Sequence, residues 1–192
     1  MKIVFATNNK HKVEEVKGLL PKEIEVLTLN EIKCSEDIEE IADTLEGNAK
    51  IKSDHVKIHY GFDCFADDTG LEVEALDGAP GVYSARYAGE EATFDDNVQK
   101  LLAAMKGVQN RKARFRTMIS LNLDGKQLFF EGVCEGYIEK ITAGNKGFGY
   151  DPIFRPVDFD KTFAEMDLSE KGRISHRGLA VKKLVAYLKS QI

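Results

Sequence analysis

Between Ala113 and Leu123 the chain alternates strictly. Phe115, Thr117, Ile119, Leu121 and Leu123 share one face, and Arg114, Arg116, Ser120 and Asn122 share the other. A period of two over this length predicts a half-buried strand. The Asp124-Gly125 pair that follows is a two-residue hairpin signal, so the chain is expected to return antiparallel through Gln127–Ile141. The N-terminal part reads differently. Lys2–Ala6 is a short apolar run, Thr7-Asn8-Asn9 a turn, and Val13, Val16, Leu19 and Leu20 mark one face of a helix that stops at Pro21. Ile24–Leu29 reads as a second strand. An acidic loop from Glu36 to Asp43 leads into a helix over about Leu45 to Tyr60, and Cys64–Ala66 reads as a buried strand ending at Asp67-Asp68. Strands alternating with helices imply parallel pairing, whereas the hairpin implies antiparallel pairing. A mixed β-sheet flanked by helices, an α/β fold, follows. Gly78-Ala79-Pro80-Gly81 is a loop signal; Thr93–Met105 and Leu179–Leu188 are helical by pattern.

At 192 residues the chain can bury one sizeable core, and its length does not demand a second domain. A net charge of −5 argues against an extended nucleic-acid surface. Local basic clusters remain, at Lys10, His11 and Lys12 and again at Lys171, Arg173, His176 and Arg177. Cys34, Cys64 and Cys134 have no metal-type spacing and read as reduced thiols that fill cores. The four histidines add no zinc pattern. No leader and no membrane-length apolar run is apparent, so a cytoplasmic protein without membrane or nucleic-acid partners is expected.

Several segments offer chemistry. Thr7-Asn8-Asn9-Lys10-His11-Lys12 joins a strand to a helix, where free N–H groups and the dipole favour phosphate; taken alone, a helix cap with solvated lysines explains it slightly better, since it is neither a Walker loop nor a Rossmann fingerprint. Asp67-Asp68-Thr69-Gly70, with Glu39 and Glu40 in the acidic loop, could hold magnesium through hard oxygen ligands, or be a turn with capping aspartates. Asn48 and Lys52 share a helix face, and Arg86 is open to either reading. Arg114 and Arg116 suit structural or interface roles. Gly147-Phe148-Gly149-Tyr150-Asp151-Pro152 places an aromatic ring between glycines, where it could stack on a flat heterocycle. Lys171 and Ser175-His176-Arg177-Gly178 follow it, and Arg reads planar acceptors or phosphate. No nucleophile elbow or catalytic triad is present.

Taken together, Phe5-Ala6-Thr7-Asn8-Asn9 with Lys12, Ala66-Asp67-Asp68-Thr69-Gly70-Leu71, Gly78 through Tyr87, Gly147 through Phe154, and Ser175 through Gly178 resemble the inosine/xanthosine triphosphate pyrophosphatase family. The motifs span nearly the whole chain. The resemblance implies an elongated mixed sheet flanked by helices, with two lobes around a central cleft, formed by residues 1–192 as one domain and usually assembled as a homodimer. It implies magnesium-dependent hydrolysis of ITP, dITP and XTP to the monophosphate and pyrophosphate. By the same resemblance Thr7 to Lys12 (with Asn8, Asn9, Lys10 and His11) and Lys52 would line the triphosphate. Glu39 or Glu40 and Asp68 would hold the metal, with Glu39 favoured by the motif, and Asp68 would be the proton acceptor. Thr69 stands where many members have Ser. Phe148, Gly149, Tyr150 and Asp151 would enclose the base, Lys171 would contact substrate, and His176 with Arg177 would read the oxo edge of the purine. Two alternatives stay open: a pyrophosphatase for other modified nucleotides, and a nucleotide-binding module without turnover.

Overall fold

The Asp124-Gly125 turn closes the longest hairpin of the fold. In the computed structural model, which describes residues 1–191, both turn residues have positive φ (49° and 74°), and Leu123 pairs with Lys126. That is the backbone a two-residue turn needs to match strand twist. In chain order the elements are β1 (Lys2–Phe5), α1 (Lys10–Lys17), β2 (Glu25–Thr28), α2 (Leu45–Tyr60), β3 (Cys64–Val73), β4 (Pro80–Gly81), α3 (Phe94–Ala104), β5 (Lys112–Leu123), β6 (Lys126–Ile138), β7 (Phe154–Pro156), α4 (Leu168–Ile174) and α5 (His176–Lys189). They form one mixed sheet in the order β2-β1-β3-β5-β6-β7, with β4 added to β3. β1 is parallel to β2 and β3; the pairs from β3 onward are antiparallel.

The expected architecture is present, with corrections at particular elements. β3 does not end at Asp67-Asp68. It continues to Val73, paired along its length with β5 from Cys64↔Asn122 to Val73↔Ala113. The carboxylates stay in the strand because cations from distant segments meet them there. α5 starts at His176, earlier than the apolar pattern suggests, because Ser175 caps it by accepting from the Gly178 N–H at 3.1 Å. β6 stops at Ile138. The short β7 and α4 carry too little periodicity to be read from sequence.

Three apolar clusters hold the sheet's faces. One groups Leu71, Val98, Leu101, Met105, Phe115, Phe154 and Phe163. A second packs Val16 of α1 and Val181, Leu184 and Leu188 of α5 on Ile3, Phe5, Phe65, Ile119 and Leu121. The third seats Val56 of α2 on Val4, Ala6, Cys64 and Ala66. Each fully buried side chain of this size is worth about 1.5–3 kcal/mol. The polar face of β5 is not all solvated: Ser120 is buried and bonds Ser53 of α2 at 2.8 Å. Arg114 and Arg116 form ion pairs with Glu72, and Arg116 also with Glu131; their role is structural. α5 crosses β6 at Gly132, where a Cβ would lie 1.9 Å from the His176 carbonyl oxygen. This close approach lays the first turn of α5 over the sheet, and with it His176 and Arg177.

Candidate active site

A cleft of about 270 Å³ opens between the clusters, lined from the turn after β1, α1, the acidic loop, α2, β3, α3, β5 and the C-terminal segments. At the start of α1 the Asn9 side chain accepts from the Lys12 N–H at 3.2 Å, and Thr7 Oγ1 accepts from the Asn9 N–H at 3.2 Å. This cap aims the Lys12 ammonium across the cleft floor, where it donates to Asp67 at 2.9 Å. Asp67 also accepts from Arg177 Nε at 2.9 Å. Arg177 continues to Glu15 and to Thr69 Oγ1 at 3.1 Å, and Glu15 accepts from Lys171 at 2.6 Å. Lys171 then donates to Asp151 at 2.6 Å. The result is an alternating chain of buried charges, Lys12–Asp67–Arg177–Glu15–Lys171–Asp151, joining α1, β3, α4 and α5. Every carboxylate in it faces a cation, which is what makes burial of so many charges tolerable.

A second group lies beside it. Lys52 donates to Glu40 and stands 4.0 Å from Asp68, while Asn48 donates to Asp68 Oδ2 at 3.1 Å. The two aspartates of β3 therefore differ in chemistry although they are neighbours. Burial alone would raise Asp67, but Lys12 and Arg177 overcome it and hold its carboxyl well below the usual range. Asp68 is raised, because burial and the like charge of Glu40 outweigh Lys52. Burial and the nearby Lys52 and Arg177 charges lower Lys12 despite Asp67. Asp67 is thus a fixed anion that orients cations, and Asp68 is a carboxylate open to a proton or a metal.

The opposite wall is aromatic. The Phe148 ring stacks on His11 with centroids 5.2 Å apart, lies 5.8 Å from Phe94, and has the Lys171 ammonium 5.1 Å from its centre. Gly147 permits this turn: with φ at 72°, any Cβ there would lie 2.0 Å from Asp151 Oδ2. Asp151 in turn accepts from the Phe148 N–H at 2.9 Å. Tyr150 is buried and donates to the Ser84 carbonyl at 2.7 Å, so it anchors the segment. His176 is sandwiched against Phe115, its Nδ1 buried without a hydrogen-bond partner. Burial and the nearby Arg177 and Lys171 charges push its pKa well down, leaving a neutral imidazole at the cleft.

Most of the residues expected from sequence converge here. Thr7, Asn8, Asn9, Lys12, Lys52, Asp68, Thr69, Phe148, Gly149, Tyr150, Asp151, Lys171, His176 and Arg177 all line the cleft. Lys10, His11 and Glu39 do not. Lys10 and Glu39 are exposed, and His11 touches the site only through the rings of Phe148 and Phe94. Of the two adjacent glutamates it is Glu40 that turns inward, partly buried against Lys52, while Glu39, the one favoured by the motif, points to solvent. Arg86 lies outside the cleft and donates to the Glu40 carbonyl at 3.4 Å, bracing the acidic loop. Sequence reasoning missed Glu15, Phe94 and Asn97. Glu15 follows Lys12 by one helical turn, a spacing that could have flagged it, but its partners lie more than 150 residues away. Asn97 accepts from the Ala88 N–H and donates to the Ala85 carbonyl, holding the turn beside the cleft.

Known proteins are similar to this chain along nearly their whole length. A dITP/XTP pyrophosphatase of Christiangramia forsetii is 58% identical over 188 residues, covering 98% of this chain and 99% of that protein. One of Porphyromonas gingivalis is 54% identical, with 97% of each covered. The solved structure of the Staphylococcus aureus Ham1 protein superimposes with a TM-score of 0.90 at 39% identity, covering both chains completely. That of a HAM1 protein from Coxiella burnetii gives 0.91 at 40% identity, with 99% of each covered. Residues 3–187 match the Ham1 family, and with that match and these relatives covering nearly the whole length, the chain belongs to the Ham1 family.

Proposed function

We propose that this protein hydrolyses the triphosphates of deaminated purines, dITP, XTP and ITP, to the nucleoside monophosphate and pyrophosphate. One observation carries the reading. The cations Lys12, Lys52, Lys171 and Arg177 converge on a cleft that also holds the Glu40–Asp68 acid pair and an aromatic wall at Phe148. The full-length relatives named dITP/XTP pyrophosphatase support dITP and XTP among these substrates.

Glu40 and Asp68 fit a hard divalent cation, and magnesium is the metal we assign. Both offer carboxylate oxygens to one space, and Asp68 is destabilised as an anion there by burial first and by the like charge of Glu40 second. Held there by Glu40 and Asp68, magnesium would supply charge neutralisation for the phosphate oxygens and Lewis-acid activation of water. The remaining work falls to the chain. Lys12 and Lys52, with the capped start of α1, offset the charge of the phosphates. Asp68, with its raised pKa, accepts the proton of the attacking water as the α–β anhydride bond breaks and pyrophosphate leaves. Asp67, Glu15 and Asp151 are positioning residues that hold the cations in place.

The purine would stack on Phe148, with its 6-oxo edge toward His176 and Arg177. A site whose donors expect an oxo group leaves them facing another donor when adenine arrives, which can reject the wrong base by about 10⁴-fold. A homodimer and a cytoplasmic location belong to the same reading; among the described residues no helix is long and apolar enough to cross a membrane. The test is product identity. The reading expects XMP and pyrophosphate from XTP only with magnesium present. XDP and free phosphate would refute the proposed bond cleavage, and binding of XTP without any turnover would favour a non-catalytic module.

A further inference from the structure

Outside the cleft, Cys34, Glu36 and His55 meet where the acidic loop begins and α2 passes beneath it. Their donor atoms all lie within 4.8 Å of one another. Cys34 Sγ is 3.3 Å from Glu36 Oε2, and His55 Nε2 faces the same oxygen at 3.9 Å. Ligands at about 2.0–2.3 Å from a tetrahedral zinc stand roughly 3.3–3.8 Å apart, so only small adjustments would close this triangle on one ion. A hydrogen-bonded thiol and carboxylate would need no imidazole, yet His55 Nε2 is buried and has no hydrogen-bond partner.

We propose that Cys34, Glu36 and His55 form a transition-metal site that takes Zn²⁺ through one thiolate, one carboxylate and one imidazole, with the fourth position open. This donor set suits zinc and not magnesium: thiolate and imidazole select borderline and soft ions, whereas magnesium takes hard oxygen. Around the triad is the outer support such ligands usually have. The Tyr60 hydroxyl donates to the Glu36 carboxylate and holds it in place beside Cys34. His59, one turn beyond His55 with rings 4.7 Å apart, is the next imidazole available to the open position.

The location gives the site a consequence. Cys34 and Glu36 open the loop that carries Glu40, and His55 follows Lys52 on α2 by three residues. Zinc at this point would tie the neck of the acidic loop to the helix beneath it, limiting how far Glu40 can move from Lys52 and Asp68.

Cobalt(II) tests the site through a readout independent of turnover. The metal-stripped full chain is titrated with Co²⁺ in excess Mg²⁺, which occupies hard oxygen ligands elsewhere, and thiolate-to-cobalt charge-transfer absorption is recorded. We expect one equivalent to produce the band and one equivalent of Zn²⁺ to abolish it. Cys34→Ser should remove the band, and Cys134→Ser, a buried thiol remote from the triad, should retain it. His55→Gln, at a partly exposed position, should weaken binding by more than about tenfold, since even outer-shell changes cost that much. Should Cys34→Ser fail to fold, the His55→Gln titration decides alone. Absence of the band, its persistence in folded Cys34→Ser, or unchanged affinity in His55→Gln overturns the proposal.

Discussion

Asp67→Asn isolates what the buried charge chain contributes. Asp67 is 1% exposed and accepts one bond from Lys12 and one from Arg177, both at 2.9 Å. Removing one partner of a buried pair costs about 3–5 kcal/mol, because the other charge is left uncompensated. Here the loss is at the lower end: Arg177 keeps Glu15 and Thr69, and the asparagine oxygen still accepts one bond. We therefore expect about 3 kcal/mol of destabilisation, which at about 2–4 °C per kcal/mol for a chain of this size lowers Tm by roughly 6–12 °C at pH 7. The pH dependence has a definite sign. The folded carboxyl titrates below its ordinary value of 3.8, so the stabilisation is complete above that value and is lost as pH falls through the folded pKa. Calorimetry of both proteins should show a constant gap from about pH 5 to 8 that narrows only below about pH 4. A Tm within about 2 °C of wild type at pH 7 would refute the reasoning. So would a gap that widens in acid.

Other expectations follow from the cleft. Asp68→Asn should lower kcat by about 10²–10⁴-fold with thermal stability retained or raised, since it removes a strained anion; near-normal turnover at saturating magnesium contradicts the proton-acceptor role. Glu40→Gln should raise the magnesium concentration needed for half-maximal rate, whereas Glu39→Gln should not, and the reverse order would return the metal role to Glu39. Phe148→Ala should weaken substrate binding by about 1–3 kcal/mol, the range for base stacking, while leaving Tm near wild type because the ring is half-exposed. Equal KM values for the two proteins would remove Phe148 from the base site.

The parts of this molecule legible in the sequence are those set by neighbouring residues. The β5–β6 hairpin follows from alternation and one Asp-Gly pair, and α2 from a continuous run between Thr44 and the left-handed Gly61. The cleft segments were legible as motifs, because each is a short run of unusual residues. What sequence could not supply depends on contacts across the chain. Asp67-Asp68-Thr69-Gly70 has the composition of a turn and becomes strand interior only because Lys12, Arg177 and Asn48 arrive from elsewhere to satisfy it. Glu39 and Glu40 are chemically equal, and only Lys52 and the inward twist of the loop tell them apart. Glu15 looks like a solvated helix residue until Lys171 and Arg177 are placed over it. Cys34, Glu36 and His55 show no metal spacing in sequence because helix and loop bring them together from opposite sides of the acidic segment.

The central claim is that this cleft separates 6-oxo purines from adenine while breaking the α–β bond. The most direct measurement is kcat/KM for pyrophosphate release from dITP, XTP and ATP at equal magnesium. Values for dITP and XTP should exceed that for ATP by at least about 10²-fold, and up to about 10⁴-fold where the oxo-reading donors act fully. Comparable values for ATP and XTP would contradict it.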